Sequence, residues 1–188
     1  MSQALQEFIQ ATRACAARHK DAAECVEAIA PLMRELLLHT DSFLEPRHLV
    51  SDPAHYARNA ILVSPDESLS LYALVWLPGQ WTPVHDHGSW GVVGVVRGML
   101  QENSYIRLDA DRGRDQEIEL ARGGVILLSP GTVTSFVPNP DLIHVTGVPA
   151  ERGRAVSLHL YGRTMNSFNT YDVAAGTRRR VDVAHNES

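Results

Sequence analysis

Cysteine is almost missing from this chain. Only Cys15 and Cys25 occur in 188 residues, and two thiols cannot build a disulfide framework. Both lie in sequence of helical character and read as ordinary buried thiols, with a reducing cytoplasm as the expected setting. A cationic surplus is absent too: 17 Lys and Arg stand against 22 Asp and Glu, a net charge of -5. Apart from "RRR" at Arg178 to Arg180, the basic residues are dispersed, which argues against a nucleic-acid partner. The opening "MSQALQEFIQ" has neither a basic start nor a long apolar run, so neither a signal peptide nor a membrane span is expected. No internal repeat stands out. What is present is a 44% hydrophobic content, enough for one sizeable core and a single domain over 1–188.

The texture changes once along the chain. From Ser2 to about Val50, apolar residues recur every three or four positions, as in "QEFIQATRACAARHKDAAECVEAIAPLMRELLLH", with Pro31 near a plausible helix start. "HTDSFLEPRHL" reads as a connecting loop or short turn. From about Ala60 the period becomes two. "SLSLYALVWL" puts Leu69, Leu71, Ala73, Val75 and Leu77 on one face, and "GVVGVVRGML", "GGVILLSPG" and "RAVSLHLYG" are further short strands bounded by Gly and Pro. The expected class is α+β, mainly β: a helical segment over 1–50, then a small barrel or sandwich over about 56–173. The tail from about Ala174 has little core-forming pattern and is expected to be weakly ordered.

Two histidines, His85 and His87, sit one residue apart in "PGQWTPVHDHGSWGVVGVVRG". On a strand, positions i and i+2 project from one face, as a chelating pair requires. A third ligand must come from elsewhere, and His19, His39, His48, His55, His144, His159 and His185 are available. Within "SLHLY", Ser157, His159 and Tyr161 alternate with Val156, Leu158 and Leu160. Three polar side chains on an inward face are costly unless they satisfy one another. Asp86 should point to the opposite face from the two histidines and serve structure. Trp81 and Trp90 flank the pair and fit either a pocket wall or core packing. His55 and Arg163 lie near these segments without an assigned role. Arg58, taken alone, reads as a surface or ion-pairing arginine.

The combination resembles the thiol dioxygenases of the cupin superfamily, of which cysteine dioxygenase is the best-known member. The family's H-x-H pair matches His85 and His87, and its Ser-His-Tyr triad matches Ser157, His159 and Tyr161. His144 precedes His159 by fifteen residues, the interval that separates the family's third ligand from its triad histidine. "HYARN" resembles the family's Tyr-x-Arg-Asn segment, which aligns Tyr56 and Arg58 with the substrate-binding pair. The resemblance spans about Tyr56 to Tyr161 and implies a cupin fold, a small β-barrel or jelly roll. Two departures stand out. Gly91 occupies the place where most cupins carry a ligating glutamate and mammalian relatives a crosslinked cysteine, so Tyr161 should be uncrosslinked. A histidine expected near Ser135 is missing, and His144 arrives about nine positions later, after a longer loop.

The resemblance implies Fe(2+) held by His85, His87 and His144, with a small thiol and O2 as partners and no nucleic acid or membrane. Three imidazole ligands carry no charge, so a thiolate from the substrate can supply the negative charge that a glutamate would have brought. Arg58 would grip the substrate carboxylate through two bonds. Tyr161 would hydrogen-bond substrate or oxygen, with His159 orienting it and Ser157 fixing the histidine tautomer. L-cysteine oxidised to its sulfinic acid is the expected reaction. A dioxygenase for 3-mercaptopropionate or mercaptosuccinate is the alternative within the class. The alternatives outside it are a metal- or ligand-binding sensor and a cupin isomerase, which would normally keep the glutamate.

Overall fold

The computed structural model describes residues 1–138, 140 and 142–186. Two helices open the chain, α1 (Gln3–Arg18) and α2 (Ala22–Leu37). Each has a side-chain cap: Ser2 Oγ accepts from Leu5 N–H, and Asp21 Oδ1 accepts from Ala23 and Glu24 N–H. Pro31 does not mark a helix start. It lies inside α2, where its missing N–H leaves only one gap in the ladder, and the strongly apolar face of the helix outweighs the loss. The connector forms two short 3-10 turns, Thr40–Ser42 and Pro46–Leu49.

Ten strands follow: β1 (Ala57–Val63), β2 (Ser70–Trp76), β3 (Gly91–Arg97), β4 (Leu100–Arg107), β5 (Leu120–Leu128), β6 (Val133–Phe136), β7 (Ile143–Gly147), β8 (Ala155–Tyr161), β9 (Ser167–Asp172) and β10 (Thr177–Asp182). The first layer has the order β1-β2-β8-β3-β6 with antiparallel pairs throughout. Strands β5-β4-β7 and β9-β10 form the second layer. The two parts of that layer are joined by the segment around His85, which bridges His144 of β7 on one side and Thr170 of β9 on the other. The architecture is α+β and mainly β, as expected.

Both faces of β2 and β8 are buried. On the outer face, Leu71, Ala73, Leu158 and Leu160 pack with Phe8, Ile29 and Met33 of the helices. On the inner face, Tyr72, Leu74 and Trp76 meet Phe136 of β6 together with Leu100 and Phe168 from the second layer. This is why "SLSLYALVWL" shows apolar residues at nearly every position. Gly94 of β3 lets α2 settle closely, since a Cβ there would stand 3.0 Å from Met33 Cγ.

The end of the chain departs from expectation. Residues beyond Ala174 include β10, paired in register with β9 from Thr177↔Asp172 to Asp182↔Ser167. Farther on, Asn186 N–H donates to Arg58 C=O (2.7 Å), and Ala60 N–H donates to Asn186 C=O (3.0 Å). The Asn186 amide also donates to Asn59 Oδ1. Backbone pairing to distant strands holds this segment, a contribution that hydrophobic periodicity does not record. Cys15 and Cys25 are free thiols, the latter buried in the helix core. No helix among the described residues is long and apolar enough to cross a membrane.

Met33 is fully buried between α2 and the barrel. Met33→Ala should therefore lower stability by about 2–5 kcal/mol through the cavity it leaves. The check is the denaturant midpoint, with the metal content of the folded fraction unchanged because the helices do not reach the histidine cluster.

Candidate metal centre

His85, His87 and His144 come together, all buried, with their ligand atoms within 4.8 Å of one another. Ring centroids are 4.8 Å apart for His85 and His87, 4.7 Å for His85 and His144, and 4.9 Å for His87 and His144. The pair is not on a regular strand, as the sequence suggested. It lies in an extended segment locked by backbone bonds: His85 N–H to His144 C=O (2.9 Å), the return bond (3.0 Å), and Asp86 N–H to Asn169 C=O (3.1 Å). Gly147 permits the close pass of the preceding residues, because a Cβ there would meet Gln80 O at 2.3 Å. Arg163, unassigned from sequence, donates to the carbonyl oxygen of His87 at 3.0 Å and steadies the far end of the segment.

Asp86 points away from the cluster, as expected. Its carboxylate accepts from Tyr171 Oη (2.7 Å) and the Asn169 amide. Burial first, then the contact with Asp86, pushes the Tyr171 phenol well above its ordinary pKa.

The donor set suits a divalent metal. His85 Nδ1 stands 3.0 Å from Pro83 O, which fixes that nitrogen as the N–H and leaves Nε2 for a metal. His144 Nε2 is buried with no hydrogen-bond partner among the described residues. His144 Nδ1 is 2.8 Å from Glu102 Oε2, which holds the ring from behind. Imidazoles alone favour the later first-row metals and iron over magnesium or calcium.

The place of the absent glutamate is filled. Gly91 opposes Phe136 across β3 and β6, and a Cβ on it would sit 2.3 Å from Phe136 Cζ. The Phe136 ring stacks on His87 at 4.0 Å and 25°. An aromatic wall occupies the space a carboxylate would need.

The second polar group is the triad. Ser157 Oγ is 2.9 Å from His159 Nε2, and His159 Nδ1 is 3.3 Å from Tyr161 Oη. Trp76 Nε1–H donates to Ser157 Oγ at 3.0 Å. Indole can only donate, so the one acceptor in reach of the buried Ser157 hydroxyl proton, among the described residues, is His159 Nε2. His159 then donates from Nδ1 to Tyr161, whose own proton is left to point into the cavity. Burial lowers the His159 pKa to about 3 and raises that of Tyr161 well above the phenol range, so the relay is neutral.

One cavity of about 30 Å³ brings both groups together. Tyr56, Arg58, Trp76, Phe136 and Met165 line it along with the histidines and Tyr161. Arg58 is buried, donates from Nη2 to Met165 O (2.6 Å), and lies over the Tyr72 ring at 4.9 Å. Its Nη1 is buried without a partner among the described residues. Tyr56 stacks on Trp76 at 4.7 Å. Trp81 and Trp90 do not line the cavity. Trp90 packs against the helix-side core and over Gly162. His19, His39, His48 and His55 lie elsewhere, and His185 rests against Tyr72 at 5.3 Å.

Sequence reasoning missed Trp76, Glu102 and Phe136. Trp76 and Glu102 had a signal available in strand parity: Trp76 shares its face with Leu74, and Glu102 is an acid at a buried alternate position of β4.

The family model for cysteine dioxygenase type I matches residues 20–174. The chain belongs to that family. Solved structures of low identity resemble parts of the chain. A protein from Thermus thermophilus is 19% identical, with 64% of this chain and 97% of that one covered at a TM-score of 0.46. A cupin-like protein from Thermotoga maritima is 16% identical over 74% of this chain and 88% of its own, with a TM-score of 0.42. An uncharacterized conserved protein with a double-stranded β-helix domain from Klebsiella pneumoniae is 14% identical, with 66% and 81% covered and a TM-score of 0.44. The family matched over residues 20–174 is one of cupin fold.

Burial holds His85 and His87 well below the ordinary histidine pKa of 6.5. Above about pH 6.5 these imidazoles are neutral whether the chain is folded or not. Below it only the unfolded chain takes up their protons, so the folded state loses ground as pH falls. Each such histidine should remove up to about 1.4 kcal/mol per pH unit between pH 6.5 and its folded value, which for His159 is about 3. Denaturant unfolding of metal-free protein at stepped pH measures this, and bound metal should oppose the loss.

Proposed function

We propose that this protein is an iron(II) thiol dioxygenase that converts a small thiol carboxylate, L-cysteine first, to its sulfinic acid in the cytoplasm. The overall change is RSH + O2 → RSO2H, with both oxygen atoms retained on sulfur and no external reductant. The observation that carries the reading is the buried Nη1 of Arg58, without a partner among the described residues, in the same small cavity as three histidines and Tyr161. A passive metal site has no need of a desolvated cation waiting for an anion.

Iron bound to His85, His87 and His144 would supply the site at which thiolate and oxygen meet. The protein's own groups do the rest. Arg58 accepts the substrate carboxylate, oriented by its bond to Met165 O and by the Tyr72 ring. Tyr161 presents its hydroxyl proton to substrate or oxygen, because His159 donates to it rather than accepting. Phe136, Leu74 and Met165 exclude water from the chamber.

Arg58→Ala should weaken use of carboxylate thiols by about 30-fold or more, as losing a buried charge contact costs about 2–5 kcal/mol. Cysteamine, which has no carboxylate, should be a poor substrate for the parent protein and lose little further in the variant. Oxygen uptake with product mass analysis across a thiol panel decides this. Equal rates on cysteine and cysteamine, untouched by Arg58→Ala, would remove the carboxylate clamp. Preference for 3-mercaptopropionate or mercaptosuccinate would change the substrate and keep the chemistry. No sulfinate from any thiol, despite full iron, would favour a binding role.

Tyr161→Phe should keep iron and thiol binding while slowing turnover, or consuming oxygen without stoichiometric sulfinate. Unchanged rate and coupling would contradict the proton-donor role.

A further inference from the structure

Phe136 ends β6 and borders two spaces. Its ring lines the closed metal cavity with His87, Val93 and Tyr161. It also lines an open surface groove of about 620 Å³, with Tyr105, Ile143 and Tyr171. Phe136 is the residue that the two linings share. The ring is fixed from both sides, by stacking on His87 at 4.0 Å and by filling the space over Gly91, where a Cβ would lie 2.3 Å away. It cannot swing toward the metal without striking His87, nor retreat without opening a void beside a ligand. The chamber beside it is small, about 30 Å³.

We infer that Phe136 is the size-limiting residue of this site, restricting it to small thiols. The inference rests on the thiol dioxygenase reading. Bulk added near the sulfur or the amine has nowhere to go while the ring is in place. With the ring removed, the space it fills between His87 and Gly91 is freed on the side of the groove. The discrimination at stake is considerable, since a single methylene in a tight apolar pocket is worth about 10–200-fold.

The test compares cysteine with two thiols that keep its carboxylate: penicillamine, with two methyls beside the sulfur, and γ-glutamylcysteine, extended at the amine. Protein loaded with cobalt(II) reports binding directly through thiolate-to-metal absorption, and the iron form reports kcat/KM. Phe136→Ala should raise the affinity for at least one bulky thiol relative to cysteine by tenfold or more, with metal content retained. Phe136→Leu, which keeps an apolar wall, is read by the same criterion should the alanine variant fold poorly. A smaller change for both thiols, with cysteine binding intact, overturns the inference and leaves the proposed function standing. An absence of thiolate absorption with every thiol in the parent protein overturns both.

The placement of the ring has an independent check. Gly91→Ala should lower the thermal midpoint and weaken cysteine binding, because its Cβ collides with the ring. Adding Phe136→Leu should restore both. If the second change rescues neither, the ring is not the wall.

Discussion

Two backbone hydrogen bonds, from His85 N–H to His144 C=O and back, decide where the three imidazoles meet. Residues 59 positions apart become direct neighbours, and the irregular segment bearing His85 and His87 becomes part of the second layer. On its other side the same segment is tied to β9 by Tyr171 N–H to Val84 C=O (2.8 Å) and Asp86 N–H to Asn169 C=O. A donor cluster of this kind must be held to about half an ångström, and sites built on paired backbone achieve this better than free loops. The triad, by contrast, is held by strand alternation within β8 alone. Its placement opposite the cluster follows from how the two layers pack.

The interior between the layers is polar for so small a space, with Arg58, Ser157, His85, His87, His144, His159, Tyr72 and Tyr161 all buried. Isolated, such groups would each cost several kcal/mol. Most are satisfied in chains. Trp76, Ser157, His159 and Tyr161 form one line, and Tyr171, Asp86 and Asn169 form another behind the ligands. The atoms left over include Arg58 Nη1, Tyr72 Oη and His144 Nε2, which have no hydrogen-bond partner among the described residues. Arg58 and His144 both line the cavity, where an incoming group can reach them.

How much of this the sequence disclosed follows from the range of each interaction. The H-x-H pair, the Ser-His-Tyr alternation and the helical face of α2 are local patterns, readable within ten residues. His144 was placed by its spacing from His159 and the family resemblance, since nothing local distinguishes it from His48 or His55. Gly91 announced a missing ligand, but not that Phe136, 45 residues later, would fill its place. The bond from the Trp76 indole to Ser157 joins residues 81 apart, beyond the reach of any local pattern. The polar end of the chain offered no periodicity because backbone pairing to β9 and β1 orders it, and backbone pairing leaves little trace in side-chain pattern.

That last attachment has a kinetic consequence. The Asn186 amide and Asn59 Oδ1 that meet on β1 are 127 residues apart in sequence. Long-range pairing of this kind closes a long loop and slows folding, whereas the helices can form early from local contacts. On the ribosome, the strand carrying Arg58 must wait with its outer edge bare until residues 183–186 have emerged. An unpaired edge is a template for pairing with other chains. The arginine's strand is thus completed late in folding, and the exposure lasts as long as translation of the intervening chain.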